Sequence, residues 1–251
     1  MPTPPAAPID VPPPLAPDAA PAEMAIPGMH ALLMPIIAAA RAPGPGVRAL
    51  DVGAGQGALA LRMQRAGYEV SACDMFPELF RAPGIECRRV DAHGALPYAD
   101  GAFDLVTATE LVEHLESHAG FFAEIARVLR PGGAFVFSTP NIVSLKSRIR
   151  FLFTGYFYSH GPLDPDVNDP VRQHIAAFTP DRYRFILARA GLDLREVRCD
   201  KRGSTSTLLG FLAPVIRAAC RSKFGDTPGT RMQNCADALY GRTMVGIAVR
   251  R

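Results

Sequence analysis

Acid–base chemistry concentrates in one short stretch, Thr109-Glu110-Leu111-Val112-Glu113-His114-Leu115. On a helical turn Glu110, Glu113 and His114 stand at i, i+3 and i+4, so two carboxylates and an imidazole can converge on one point. That donor set suits a divalent cation such as Mg2+ or Mn2+. It suits equally well proton abstraction by His114, or an internal hydrogen-bonded network that does no chemistry. A second chemical element lies upstream, Leu50-Asp51-Val52-Gly53-Ala54-Gly55-Gln56-Gly57, between a strand and the helical run from Ala58 to Arg65. Glycines there let the backbone approach a ligand or take positive φ, and the following helix offers free amides.

Further acids fall where a nucleoside would need them. Asp74 ends the next strand, seventeen residues beyond Gly57, where a carboxylate can accept both hydroxyls of a ribose, and Asp91 ends the third strand. A dinucleotide fold has no standard task for that second acid. The spacing of Gly53, Gly55 and Gly57 as GxGxG also departs from the GxGxxG of nicotinamide enzymes.

These residues need rigid elements to hold them, and the apolar pattern supplies a parallel α/β frame. Val47 to Val52, Glu69 to Cys73, Glu86 to Val90, Phe103 to Ala108 and Ala134 to Ser138 read as strands alternating with helical stretches. Phe121, Phe122, Ile125, Val128 and Leu129 mark one face of a helix expected to end at Pro131 and Gly132. Ile26 to Arg41, carrying Pro27 and Pro35, is expected to form a kinked helix that closes over the cofactor side. After Asn141 the pattern lapses until a helix from Pro180 to Ala190, a strand from Leu192 to Cys199 and a last strand from Met244 to Val249. Thr205 to Tyr240 is expected to form two helices, of which Leu208 to Ala219 reads as a packing or dimer helix. Lys146, Arg148 and Arg150, interleaved with apolar residues, form a basic helix that suits a solvated face, an anionic substrate or a membrane surface.

Taken in order, Leu50 to Gly57, Asp74, Asp91, Phe103 to Leu115 and Val128 to Asn141 resemble the successive motifs of class I S-adenosylmethionine-dependent methyltransferases. The resemblance implies a Rossmann-like α/β fold: a seven-stranded, mostly parallel sheet with an antiparallel last strand and helices on both faces. It places the cofactor on Asp51, Gly53, Ala54, Gly55 and Gly57, with Gly53 and Gly55 against its amino-acid portion. It puts Asp74 on the ribose, Met75 against the adenine face, Asp91 and Ala92 at the adenine edge, and Glu110 near the methionine end and the substrate. The ExxEHL string resembles both ubiquinone-pathway O-methyltransferases and small-RNA 3′-terminal 2′-O-methyltransferases. In those groups the positions of Glu110, Glu113 and His114 can bind metal, and His174 stands where the RNA-modifying group has a fourth ligand. Ser138-Thr139-Pro140-Asn141 resembles the STPN of the ubiquinone-pathway enzymes, facing the active-site mouth; a plain strand-ending turn fits it as well.

The expected organisation is a disordered Pro/Ala-rich tail over residues 1–23 and one methyltransferase domain over 24–251, with substrate-side insertions at about 141–178 and 205–240. With 27 basic and 24 acidic residues the net charge of +3 creates no broad polyanion-binding field, so nucleic acid is not the expected partner. Five scattered cysteines build neither a zinc nor a disulfide framework and fit a cytoplasmic protein, and no apolar run is long enough to span a bilayer. The expected activity is O-methylation of a small molecule or glycan, with His114 as base and Glu110 beside it. Alternatives are a terminal-RNA 2′-O-methyltransferase, an N- or C-methyltransferase, a nicotinamide-dependent reductase and a non-catalytic cofactor-binding protein.

Overall fold

Hydrophobic alternation and glycine punctuation resolve into a seven-stranded sheet in a computed structural model that describes residues 20–92, 94–167 and 173–251. The strands are β1 (Arg48–Val52), β2 (Glu69–Asp74), β3 (Cys87–Arg89), β4 (Phe103–Thr109), β5 (Leu129–Pro140), β6 (Leu192–Cys199) and β7 (Thr243–Arg250). Their order is β3-β2-β1-β4-β5-β7-β6, with β7 antiparallel to both neighbours and the other six strands running one way. A dinucleotide fold orders its strands 3-2-1-4-5-6, so the antiparallel insertion of β7 separates this sheet from the nicotinamide reading. Strand β4 is buried at every position from Phe103 to Ala108, as a central parallel strand covered on both faces must be.

Helices cover both faces. On one, α1 (Met29–Ala40) and α2 (Ala58–Ala66) bury Met29, Leu33, Ile37, Leu59 and Met63 against Ala49, Leu105 and Val245 of the sheet. On the other, α3 (His118–Val128) and α5 (Pro180–Arg189) pack Phe121, Phe122, Ile125, Tyr183 and Leu187 onto Leu50, Val106, Phe135 and Phe137. Thr179 caps α5, accepting from the Arg182 amide at 3.3 Å with Pro180 in the first turn, and Ser144 caps α4 (Leu145–Thr154) in the same way.

Two expectations are corrected. Helix α3 ends at Val128 and Leu129 already belongs to β5, which runs on through Pro131 and Gly132, so those two residues do not stop the helix. Residues 204–240 hold α6 (Ser204–Leu208), a 3-10 turn at Leu209–Leu212, α7 (Ala213–Phe224), α8 (Pro228–Gln233) and α9 (Ala236–Tyr240), not two helices. Thr227 and Thr230 form a reciprocal capping box that starts α8 afresh, which breaks the segment up. Leu208, in the segment expected to form a packing or dimer helix, is 79% exposed. The tail expected over 1–23 lies outside the described residues except for 20–23, as do residues 168–172 of the expected lid.

Candidate active site

The strand ends deliver the candidate residues to one cleft of about 510 Å3, bounded by the glycine-rich turn, the end of β4, the start of β7 and the chain from Ala22 to His30. Gly53, Gly55 and Gly57 all take positive φ, at 71°, 53° and 86°. A Cβ on Gly53 would sit 3.2 Å from Leu111, and one on Gly55 2.8 Å from the Met24 sulfur. Gly53, Ala54 and Gly55 line the cleft. Gly57 does not: its absent Cβ makes room for Phe80 and Ala82, at 2.6 and 2.8 Å, so it packs the start of α2.

Asp74 holds the turn in shape. One carboxylate oxygen accepts from the Gly55 amide and the other from the Phe76 amide, both at 2.8 Å, and the side chain still lines the cleft. Asp51 is buried at the end of β1 and accepts from the Thr107 hydroxyl at 2.8 Å. Burial pushes its carboxyl up to about 7, the Thr107 bond partly offsets that, and Asp74 adds to the rise. A smaller apolar pocket of about 80 Å3 adjoins the cleft between Gly53 and Leu111, and brings together Met75, Asp91 and Ala92.

At the far end the chain leaves β4 abruptly. Glu110 takes φ 50° and Ser159 φ 61°, the two non-glycine residues with positive φ among the described residues, and both line the cleft. Strained backbone collects at sites that something else holds in place. Glu110 is fixed by Ser138, whose hydroxyl donates to its carboxylate at 2.9 Å and whose carbonyl accepts its amide at 3.2 Å. Burial raises the Glu110 carboxyl to about 7, against the Ser138 bond; Asp200 adds to the rise and Arg242 opposes it.

Val112–His114 then forms one 3-10 turn, tighter than the expected helix, and Glu110 stands outside it. Ligand atoms of Glu113, His114 and His174 lie within 4.8 Å of one another, a group that does not include Glu110. His114 Nδ1 lies 2.9 Å from the Gln173 carbonyl, which makes Nδ1 the protonated nitrogen and Nε2 the basic one, and the side chain lines the cleft. The Ala176 amide donates to the Glu113 carbonyl at 2.9 Å, tying the segment that bears His174 to the same turn. The His174 ring meets the His114 ring edge-on at 4.9 Å; burial first, then His114 and His160, lowers its pKa. Glu113 is fully buried with neither carboxylate oxygen hydrogen-bonded, and His174 Nδ1 is likewise buried and unpartnered. Burial, then Glu110, holds the Glu113 carboxyl well above the usual range.

Several cleft residues escaped the sequence reading. Arg242, clamped by Asp200 at 2.9 Å through Nε, faces the acceptor end with Thr243, and Tyr158 with Ser159 closes the same end. His30 and Met24 reach the glycine turn because Glu23 pairs with Arg62 of α2 at 2.9 Å and accepts from the Gly28 amide at 2.8 Å. None of these carries a spacing signal. The one hint was the expectation that the Ile26 to Arg41 segment closes over this side.

The glycine turn, the acid at the end of β2 and the antiparallel β7 that meet at one cleft give the chain the fold of class I S-adenosylmethionine-dependent methyltransferases. Residues 50–137 match the family model described as a methyltransferase domain. The chain is 35% identical over 112 residues to a ubiquinone biosynthesis O-methyltransferase of Xanthomonas campestris, covering 41% of this chain and 47% of that protein. It is 39% identical over 109 residues to an uncharacterised protein of Mycobacterium tuberculosis, covering 40% of each. The matches thus span less than half the length of these relatives. Among solved structures, a SAM-dependent methyltransferase from Archaeoglobus fulgidus aligns with TM-score 0.58 at 21% identity, over 88% of this chain and 92% of that one. An S-adenosylmethionine-dependent methyltransferase from Mesorhizobium loti gives 0.55 at 19%, over 87% and 98%.

Proposed function

We propose that the chain transfers the methyl group of S-adenosylmethionine to a hydroxyl of a small molecule or glycan, with the acceptor oxygen activated at Glu113, His114 and His174. The observation that carries this is the convergence of those three side chains at the mouth of the glycine cleft, with His114 Nδ1 anchored on the Gln173 carbonyl. The cofactor fits the cleft: the turn is a cradle that a Cβ would fill, and Asp51 and Asp74 suit its cationic sulfonium and ammonium groups. Asp74 serves the ribose, Met75, Asp91 and Ala92 the adenine in the smaller pocket, and Gly53 to Gly55 the amino-acid end. The ubiquinone-pathway relative supports oxygen as the nucleophile.

Methyl transfer is an in-line displacement, so the protein contributes alignment and a deprotonated acceptor. In the first form of the mechanism His114 Nε2 takes the hydroxyl proton, and Glu110, anchored by Ser138, positions the acceptor. The second form rests on the orphaned Glu113 carboxylate and His174 Nδ1, which fit a divalent cation held by Glu113, His114 and His174, with Glu110 beside them. Two imidazoles with a carboxylate favour Mn2+ over Mg2+. Bound there, a cation supplies a lowered pKa for the acceptor hydroxyl. The segment 141–178, which contributes Tyr158, Ser159 and His174, acts as the acceptor-side lid.

Transfer of labelled methyl from S-adenosylmethionine into fractionated cell extract tests this, with Mn2+ and in parallel with a chelator. Label in small-molecule or glycan fractions that His114→Ala abolishes supports the proposal, and loss on chelation selects the cation form. Label confined to RNA would replace the acceptor with a terminal ribose.

A further inference from the structure

The chain beside the cleft mouth exposes apolar side chains that the fold does not use. On α4, Phe151, Leu152 and Phe153 are 45, 73 and 80% exposed. Helix α4 packs against α6 and the following 3-10 turn, and that arm exposes Leu208, Phe211 and Val215, spaced by three and four. A few buried residues, Leu145, Ala213 and Leu239, join the two arms from beneath. Exposed apolar groups clustered on adjacent short helices mark an interaction surface, whereas single exposed leucines do not.

Charge indicates the occupant. No acidic residue occurs between Glu124 and Asp164, or between Asp200 and Asp226, while Lys146, Arg150, Lys201, Arg202, Arg221 and Lys223 are exposed in those stretches. Basic side chains around projecting phenylalanines and leucines match an anionic bilayer surface, with headgroups meeting the cations and the apolar tips entering the acyl boundary. No helix among the described residues is long and apolar enough to cross a membrane, so the contact is peripheral.

We propose that α4 with the α6–α7 arm is a docking surface for an anionic lipid bilayer. It adjoins the cleft directly. Phe151 stacks on Phe157 at 4.4 Å, Lys146 lies 4.0 Å over the Tyr158 ring, and Tyr158 and Ser159 line the cleft, so docking sets the acceptor end at the bilayer surface. The proposal concerns binding alone and stands apart from methyl transfer.

The test is flotation of the full chain with vesicles of phosphatidylcholine and with vesicles that also contain phosphatidylglycerol. The chain floats with the phosphatidylglycerol vesicles and is released by high salt. The double variant Leu152→Glu, Phe153→Glu lowers the bound fraction at least about tenfold, and Arg150→Gln lowers it by about fivefold. S-adenosylhomocysteine binding by the variants, unchanged from wild type, shows that they are folded. No flotation with either vesicle, or flotation unaffected by the double substitution, overturns the proposal. So does a wild-type dimer in light scattering that the double substitution dissociates, because the face is then a contact between two copies.

Discussion

Replacing Glu113 by Gln should make the metal-free protein more stable. Glu113 is fully buried, neither of its oxygens has a hydrogen-bond partner, and burial holds its carboxyl well above the usual range. The folded state therefore keeps a proton that the unfolded chain releases near pH 4.5. With more protons bound in the folded state, stability is greatest below the unfolded pKa and falls as pH rises towards the folded one. Stability therefore falls as the pH is raised from about 5 to about 7, by up to about 1.4 kcal/mol per unit while the folded carboxyl stays protonated. Glutamine mimics the protonated acid at every pH and abolishes that loss. In a domain of this size each kcal/mol of that gain corresponds to about 2–4 °C in Tm, and the gain shrinks towards acid pH. Asp51 and Glu110, both raised to about 7, add slopes of the same sign to both proteins and largely cancel in the comparison. The assay is thermal and urea unfolding in chelator across that pH range. Mn2+ at a hundredfold excess over its Kd should then add about 2.7 kcal/mol to the wild type and little to the variant. A variant less stable than wild type at neutral pH, or a difference that does not change with pH, refutes the reasoning.

Other positions give independent tests. Asp74→Ala removes the acceptor for the Gly55 and Phe76 amides, each such charged bond being worth about 1.5–3 kcal/mol, so S-adenosylhomocysteine affinity measured by calorimetry should fall at least about tenfold. Gly246→Ala drives a Cβ into the Phe137 ring in the middle of β7 and should cost about 1–3 kcal/mol in urea unfolding without changing the cofactor site. Glu23→Ala releases the chain that carries Met24 and His30 and should speed cofactor dissociation in stopped flow, with Tm nearly unchanged.

The parts of the site built from local pattern were legible in the sequence. The strand-turn-helix at Leu50 to Arg65 announces itself through glycine spacing next to an apolar run, and Asp74 and Asp91 follow from the strand ends. His174 was visible through its likeness to a fourth ligand position, and the structure brings it to Glu113 and His114, 60 residues away in the chain. What stayed hidden depends on backbone conformation and distant partners. The left-handed turn at Glu110 follows from anchoring by Ser138 on the neighbouring strand, and no helical period encodes it. Gly57 looks like its two neighbours in sequence and differs only because Phe80 and Ala82 occupy the space beside it. Arg242 enters the cleft because Asp200, on another strand's end, holds it there. The short helices of 204–240 are set by caps, and their exposed apolar face blurs the amphipathic pattern that a packed helix would show.

The central claim, a cleft that holds S-adenosylmethionine between Asp51, Asp74 and the glycine turn, is tested most directly by calorimetric titration of S-adenosylhomocysteine into the purified chain. The account predicts saturable one-to-one binding that NAD does not compete with and that Asp74→Ala weakens. Absence of binding, or displacement by NAD, would contradict it.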